Sequence, residues 1–181
     1  MGSALASQLL GEELWLSGRN QARLESLAAS LGAQIYPAAE VAALAQAVSL
    51  IDLLIYAAGA VERALIKEPS RDLFAANFWG AYFLLRHLRW NPGGRALFLG
   101  AYPRYIAYPG FGLYAASKAA LEGLLEVARK ELKDVSFCLV RLPAVRTPLW
   151  APLGGAPRGA LSPEEAAQKI ISKLAPPAYS A

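Results

Sequence analysis

The sequence predicts a doubly wound α/β domain in three layers, a parallel sheet with helices on both of its faces. Short apolar runs alternate along the chain with segments whose apolar residues recur every three or four positions, and glycines stand where the segments end. A strand, helix, strand order cannot close as a hairpin, because the intervening helix returns the chain to the same end of the sheet, so neighbouring strands run parallel. With 55% hydrophobic and 18% charged residues over 181 positions, the composition suits one compact domain spanning residues 1–181.

Each element follows from its own residues. A strand is expected over residues 14–16. A helix over 20–31 has Leu24, Leu27 and Leu31 at helical spacing, Asn20 as a cap and Gly32 as a stop. A strand over 33–36 follows, then a helix over 40–48 and a buried strand over 51–57 that ends near Gly59. A long helix is read over 72–90, a strand over 96–99, a helix over 112–133 and a strand over 135–140. The next stretch, RLPAVRTPLWAPLGGAPRGALSPEE, is so rich in proline and glycine that it reads as a long loop, of the kind that usually serves function. Ser162, Pro163 and two glutamates then start a last helix that runs to about Leu174.

Bulk properties exclude several classes. The net charge is +4, but the arginines are scattered and form no basic stripe, so no nucleic-acid partner is expected. Apolar runs fall short of the roughly 18 residues that span a bilayer, so no membrane role is expected. The start, MGSALASQLLGEELW, has no basic leader, and cytoplasmic residence is the expectation. The single cysteine, Cys138 in VSFCLV, reads as a core residue, and the single histidine, His87, as a surface residue between Arg86 and Arg89. No metal site is proposed.

Tyr114 and Lys118 form the Tyr-x-x-x-Lys pair of YAASK, and four residues on a helix return the second side chain to the face of the first. A phenol with a pKa near 10 is a poor acid–base group at neutral pH, and a neighbouring ammonium lowers that value. The surrounding residues give the pair its meaning. Through PGFGLYAASKAALEGL, the strand RALFLG, the strand-turn IDLLIYAAG, the Asn77 segment FAANFWGAYFLL and the later LVRLPAVRTPL, the sequence resembles the short-chain dehydrogenase/reductase family, from Gly2 to about Leu174.

The resemblance implies a Rossmann-like fold and hydride transfer between a nicotinamide dinucleotide and a small carbonyl or secondary alcohol. It makes Tyr114 the acid–base, Lys118 the group that lowers its pKa and bonds the nicotinamide ribose, and Asn77 a residue that helps hold a proton-relay water. It assigns Gly2, Ser17, Gly18, Arg19, Ala57, Gly59, Pro143, Val145 and Thr147 to the cofactor, with Thr147 at the nicotinamide carboxamide. Arg19 stands where an acidic residue would repel a 2'-phosphate, so NADP is expected over NAD. The family also pairs through the helices that carry Asn77 and Tyr114, and their residues Trp79, Tyr82, Phe83, Leu121, Leu124 and Leu125 suggest a homodimer or homotetramer.

The pattern breaks in places. The family's serine, thirteen residues before its tyrosine, is Ala101 here, which leaves Tyr102 or Tyr105 as substitutes and a weak or inactive dinucleotide sensor or partner-binding domain as the alternative reading. The family's opening strand and TGxxxGxG turn are represented only by Gly2, so a truncated start is expected, and Tyr179 to Ala181 read as the remnant of a last strand. Ala39 replaces the usual Asp beside the adenine, Tyr56-Ala57 the usual Asn-Asn, and Pro143-Ala144 the usual Pro-Gly. Substrate identity and reaction direction are not legible.

Overall fold

The computed structural model describes residues 1–9, 11–37, 41–48 and 50–174. Strands β1 (Trp15–Gly18) and β2 (Gln34–Pro37) are parallel neighbours. Between them runs α2 (Gln21–Leu31), capped by the Asn20 side chain, which accepts from the Arg23 amide at 3.0 Å, and closed by Gly32 at φ 64°. That positive φ is where glycine suffers no side-chain clash. Strands β3 (Ile51–Tyr56), β4 (Trp90–Ala101) and β5 (Ser136–Leu142) form a second parallel set in the order β3-β4-β5. No strand is described between β1 and β3, the place of the expected first strand. Ala39 and residues 179–181 lie outside the described residues.

The helices are α1 (Gly2–Ala6), α3 (Val41–Ala47), α4 (Gly80–His87), α5 (Pro103–Ile106), α6 (Gly112–Glu131) and α7 (Pro163–Ile171). The alternation along β4 shows the three layers. Phe98 faces Tyr56, Ala81, Leu84, Leu85, Leu121 and Leu125 in one core, whereas Leu97 faces Leu5, Val140, Ala167 and Ile170 in the other. Both residues have no exposed surface, so each such side chain contributes roughly 1.5–3 kcal/mol. No helix among the described residues is long and apolar enough to cross a membrane.

Several expectations need correction. The helix expected over 72–90 is a π-turn at Ala75–Trp79 followed by α4, and Trp90 already belongs to β4. Strand β4 also begins earlier than residue 96: Ile51 pairs with Trp90 and Leu53 with Arg95, so Asn91 to Gly94 loop out between two paired stretches. The long loop contains a 3-10 helix, Pro148–Leu153, and its base is closed by the Arg146 amide on Leu161 O at 2.8 Å and the Leu161 amide on Ala144 O at 2.9 Å. Leu121 and Leu125 are not surface: they are 1% and 0% exposed, packed on the sheet.

Candidate active site

A cleft of about 620 Å³ opens beyond the carboxyl ends of β3, β4 and β5, within the size range of small-molecule sites and at the end of a parallel sheet where ligands bind. Its walls come from Ala57 and Gly59 after β3, Leu99 to Ala101 at the end of β4, and Pro143, Val145 and Thr147 after β5. Gly2, Arg19, Tyr114 and Lys118 complete it among the residues singled out in the sequence. Ser17 and Gly18 stop short of the cleft, on the strand that leads to Arg19.

Tyr114 and Lys118 reach this wall because of the helix that carries them. In α6 the buried positions Tyr114, Ser117, Lys118, Leu121, Leu125 and Ala128 form one stripe, the spacing of a helix with a single core-facing side. Its lower part anchors the helix through leucines, and its first turns hold the polar groups against the cleft. Burial decides their proton affinities. It pushes the Tyr114 phenol up to about 12 and the Lys118 ammonium down to about 8, because each charged form loses its hydration. The lysine-lowered phenol expected from the pair is therefore not what this arrangement gives. Lys118 Nζ donates to Leu99 O at 3.0 Å, and no hydrogen bond joining the two side chains is found among the described residues.

Asn77 does not line the cleft. It is fully buried, accepting from the Ala60 amide through Oδ1 at 2.8 Å and donating through Nδ2 to Ala60 O at 3.0 Å and to Ser117 Oγ at 2.8 Å. The Ser117 hydroxyl in turn donates to Tyr114 O at 2.8 Å. One amide thus ties the turn after β3 to the first turns of α6. Gly59 packs against it: a Cβ there would meet Asn77 Oδ1 at 3.2 Å and Lys118 Nζ at 3.9 Å, so the absent side chain lets Asn77 and Lys118 keep their places.

Other lining residues were not singled out from sequence. Arg23 stands four positions beyond Arg19, on the first turn of α2, and lines the same end of the cleft; the four-residue spacing was the available signal. Arg71 donates to Val61 O at 2.6 Å and borders the cleft from a loop with no sequence signature. Trp150 donates from Nε1 to Val145 O at 2.9 Å and lines the cleft together with Leu149. Ala101, Tyr102 and Tyr105 also line the cleft, so the position without a hydroxyl faces it directly.

Comparison with known proteins gives a consistent picture. The family described as short chain dehydrogenase matches residues 1–156. A provisionally assigned short-chain oxidoreductase of Thermus thermophilus is 48% identical, with a TM-score of 0.90 over 97% of this chain and 91% of that one. An alcohol dehydrogenase of the archaeon Thermococcus sibiricus, complexed with 5-hydroxy-NADP, is 25% identical, with a TM-score of 0.75 over 96% of this chain and 83% of that one. The NADPH-dependent aldehyde reductase-like protein of Arabidopsis thaliana chloroplasts is 39% identical over 74 residues, 39% of this chain and 27% of its own. The chain spans less than half the length of the curated relatives it matches.

Proposed function

Because the chain belongs to the short-chain dehydrogenase family, we propose that it is an NADP-dependent oxidoreductase acting on a small carbonyl or secondary alcohol, with Tyr114 as its acid–base. The observation that carries this reading is the convergence of Tyr114, Lys118 and Thr147 with Arg19 and Arg23 on one cleft at the strand ends. The small residues Ala57 and Gly59 beside Lys118 leave backbone along this wall for a dinucleotide to approach, which supports the fit.

When bound, the nicotinamide supplies or accepts the hydride. The Tyr114 hydroxyl gives its proton to the carbonyl oxygen in reduction and takes it back in oxidation. Its raised affinity keeps the phenol protonated at neutral pH, the form a reductase needs at the start of its cycle. Lys118, with a pKa of about 8, is charged at neutral pH and bonds the nicotinamide ribose. Asn77 fixes the turn after β3 against α6 from behind the cleft, its side-chain amide engaged by Ala60 and Ser117 rather than turned toward a relay water. Pro143, Val145 and Thr147 hold the nicotinamide end, Ala57 and Gly59 the middle, and Gly2 the pyrophosphate side. Ser17 and Gly18 deliver Arg19, which with Arg23 offers two guanidinium groups to a 2'-phosphate. The NADP-type ligand of the Thermococcus protein and the NADPH dependence named for the Arabidopsis protein support that choice over NAD.

Self-association belongs to the same reading. Trp79 and Tyr82, 55% and 40% exposed, and Leu113 and Val127 on α6 leave apolar surface on the helices that pair in the family. A second reading, a dinucleotide sensor with little or no turnover, is favoured by Ala101, which puts a methyl where the family aligns the substrate oxygen. The deciding experiment is NADPH-dependent reduction of a panel of aldehydes and ketones by the wild type and by Tyr114→Phe. We expect turnover that falls at least a hundredfold in the variant while NADP still raises the melting temperature of both. Equal turnover in the two proteins would overturn the role of Tyr114, and NADP-linked stabilisation with no turnover in either would favour the sensor.

A further inference from the structure

The segment that carries Asn77 departs from the α-helix. Residues Ala75–Trp79 form a π-turn in which the Gly80 amide donates to Ala75 O, five residues back. Such a turn carries one residue more than the α-helical ladder allows, and it persists where another group holds the displaced backbone. Here that group comes from Tyr56, the last residue of β3. Its hydroxyl donates to Ala76 O at 2.7 Å, and the Ala81 backbone amide faces the hydroxyl oxygen itself. The ring is 7% exposed and packs on Phe98 at 5.9 Å between centroids.

Gly80 is the complement of this hydroxyl. A Cβ at Gly80 would overlap the Tyr56 hydroxyl oxygen outright, yet would meet ring atom Cζ at 3.3 Å. The phenol oxygen therefore occupies the notch that the missing methyl leaves. Neither residue lines the cleft, but Asn77 follows directly on Ala76, and its side chain makes all three of its hydrogen bonds from this turn.

We propose that Tyr56 is a positioning residue: its hydroxyl, wedged into the notch at Gly80, holds the π-turn that presents Asn77 to Ala60 and Ser117 and so sets the turn after β3 against the Tyr114 helix. The inference rests on the oxidoreductase reading given above.

The test is steady-state NADPH-dependent reduction by Tyr56→Phe, Gly80→Ala, the double variant and Asn77→Ala. Tyr56→Phe should lower kcat about tenfold, the equivalent of one hydrogen bond, with the KM for NADPH unchanged within about twofold and the pH profile of kcat displaced. Gly80→Ala should lose more activity than Tyr56→Phe by expelling the hydroxyl, and adding Tyr56→Phe to it should bring kcat back up to the level of Tyr56→Phe alone, because the new methyl then meets ring atom Cζ at 3.3 Å and Ala75 O at 3.6 Å and no hydroxyl. Wild-type kcat and pH profile in Tyr56→Phe, or losses that simply multiply in the double variant, would overturn the inference. If Asn77→Ala loses activity while Tyr56→Phe does not, this inference alone fails. If Asn77→Ala retains wild-type kcat, the role given to Asn77 fails with it. The wedge is also readable without any variant, as a protected Tyr56 hydroxyl proton with cross-relaxation to Gly80 Hα in magnetic resonance. A Tyr56 hydroxyl that exchanges as fast as the exposed tyrosines would overturn the inference even if Tyr56→Phe did not fold.

Discussion

Replacing Lys118 by methionine removes a buried ammonium while keeping most of the aliphatic stem, and the structure sets both the size and the sign of the effect. Lys118 is 7% exposed, and burial takes its pKa from 10.5 to about 8. At about 1.36 kcal/mol per pH unit, this corresponds to roughly 3 kcal/mol by which the folded chain disfavours the charged side chain at neutral pH. The variant also loses the hydrogen bond from Nζ to Leu99 O, worth about 1–2 kcal/mol. The net expectation is a cofactor-free protein more stable by about 1–2 kcal/mol, or roughly 3–6 °C in Tm for a chain of this size.

The pH dependence separates this account from a gain through better packing. Below pH about 8 the lysine is charged in both folded and unfolded chains, so the full penalty applies. Between about 8 and 10.5 the unfolded chain binds more protons than the folded one, so wild-type stability from this group rises with pH. The advantage of Lys118→Met should therefore be largest near pH 7 and fade by about pH 10. The raised pKa values of Tyr56 and Tyr114 act from about pH 10 upward and are common to both proteins. Thermal melts followed by circular dichroism at the two pH values read the difference. A variant that melts at or below the wild type near pH 7, or one whose advantage is the same at both pH values, would refute the reasoning.

The remaining predictions concern the ends of the cleft and its outer face. Arg19→Ala and Arg23→Ala should each weaken NADP binding by about 10- to 100-fold and leave NAD binding nearly unchanged, the loss of a charged hydrogen bond to a 2'-phosphate, as titration calorimetry would read. Equal losses for both cofactors would remove the arginines from cofactor choice. Ala101→Ser should raise kcat by about tenfold or more by restoring a hydroxyl on the wall; an unchanged kcat would mean that another group already aligns the substrate. Trp79→Ala should shift the solution mass toward the monomer, measured by light scattering, and a mass equal to that of the wild type would count against pairing through α4 and α6.

Much of this was legible in the residues because the same rule governs core and site. The spacing that buries Leu121 and Leu125 also buries Tyr114, Ser117 and Lys118, so a stripe read as helical already placed the polar pair. Strand β3 was legible because its apolar run ends in small residues around Gly59 at the cleft. The helix carrying Asn77 was read too long, because no proline or glycine marks its end at Leu88, where the chain turns extended at ψ 141°. The π-turn left no local signature either: the tyrosine that holds it lies 20 residues upstream. The strand was read as starting only at residue 96, after Asn-Pro-Gly-Gly, yet pairing of Trp90 with Ile51 places those four residues inside β4. The lowered Tyr114 phenol was expected because helical spacing gives proximity, whereas burial raises the phenol's proton affinity and the ammonium donates to the Leu99 carbonyl instead.

The central claim is that Tyr114 serves hydride transfer in the cleft at the strand ends. Its most direct measurement is transfer of deuterium from NADPH labelled at the nicotinamide C4 into the alcohol formed from a small aldehyde, with mass spectrometry of the product. The account predicts one deuterium per product molecule from one labelled face with the wild type and none above background with Tyr114→Phe under conditions where NADPH still binds. Deuterium transferred equally well by Tyr114→Phe would contradict it.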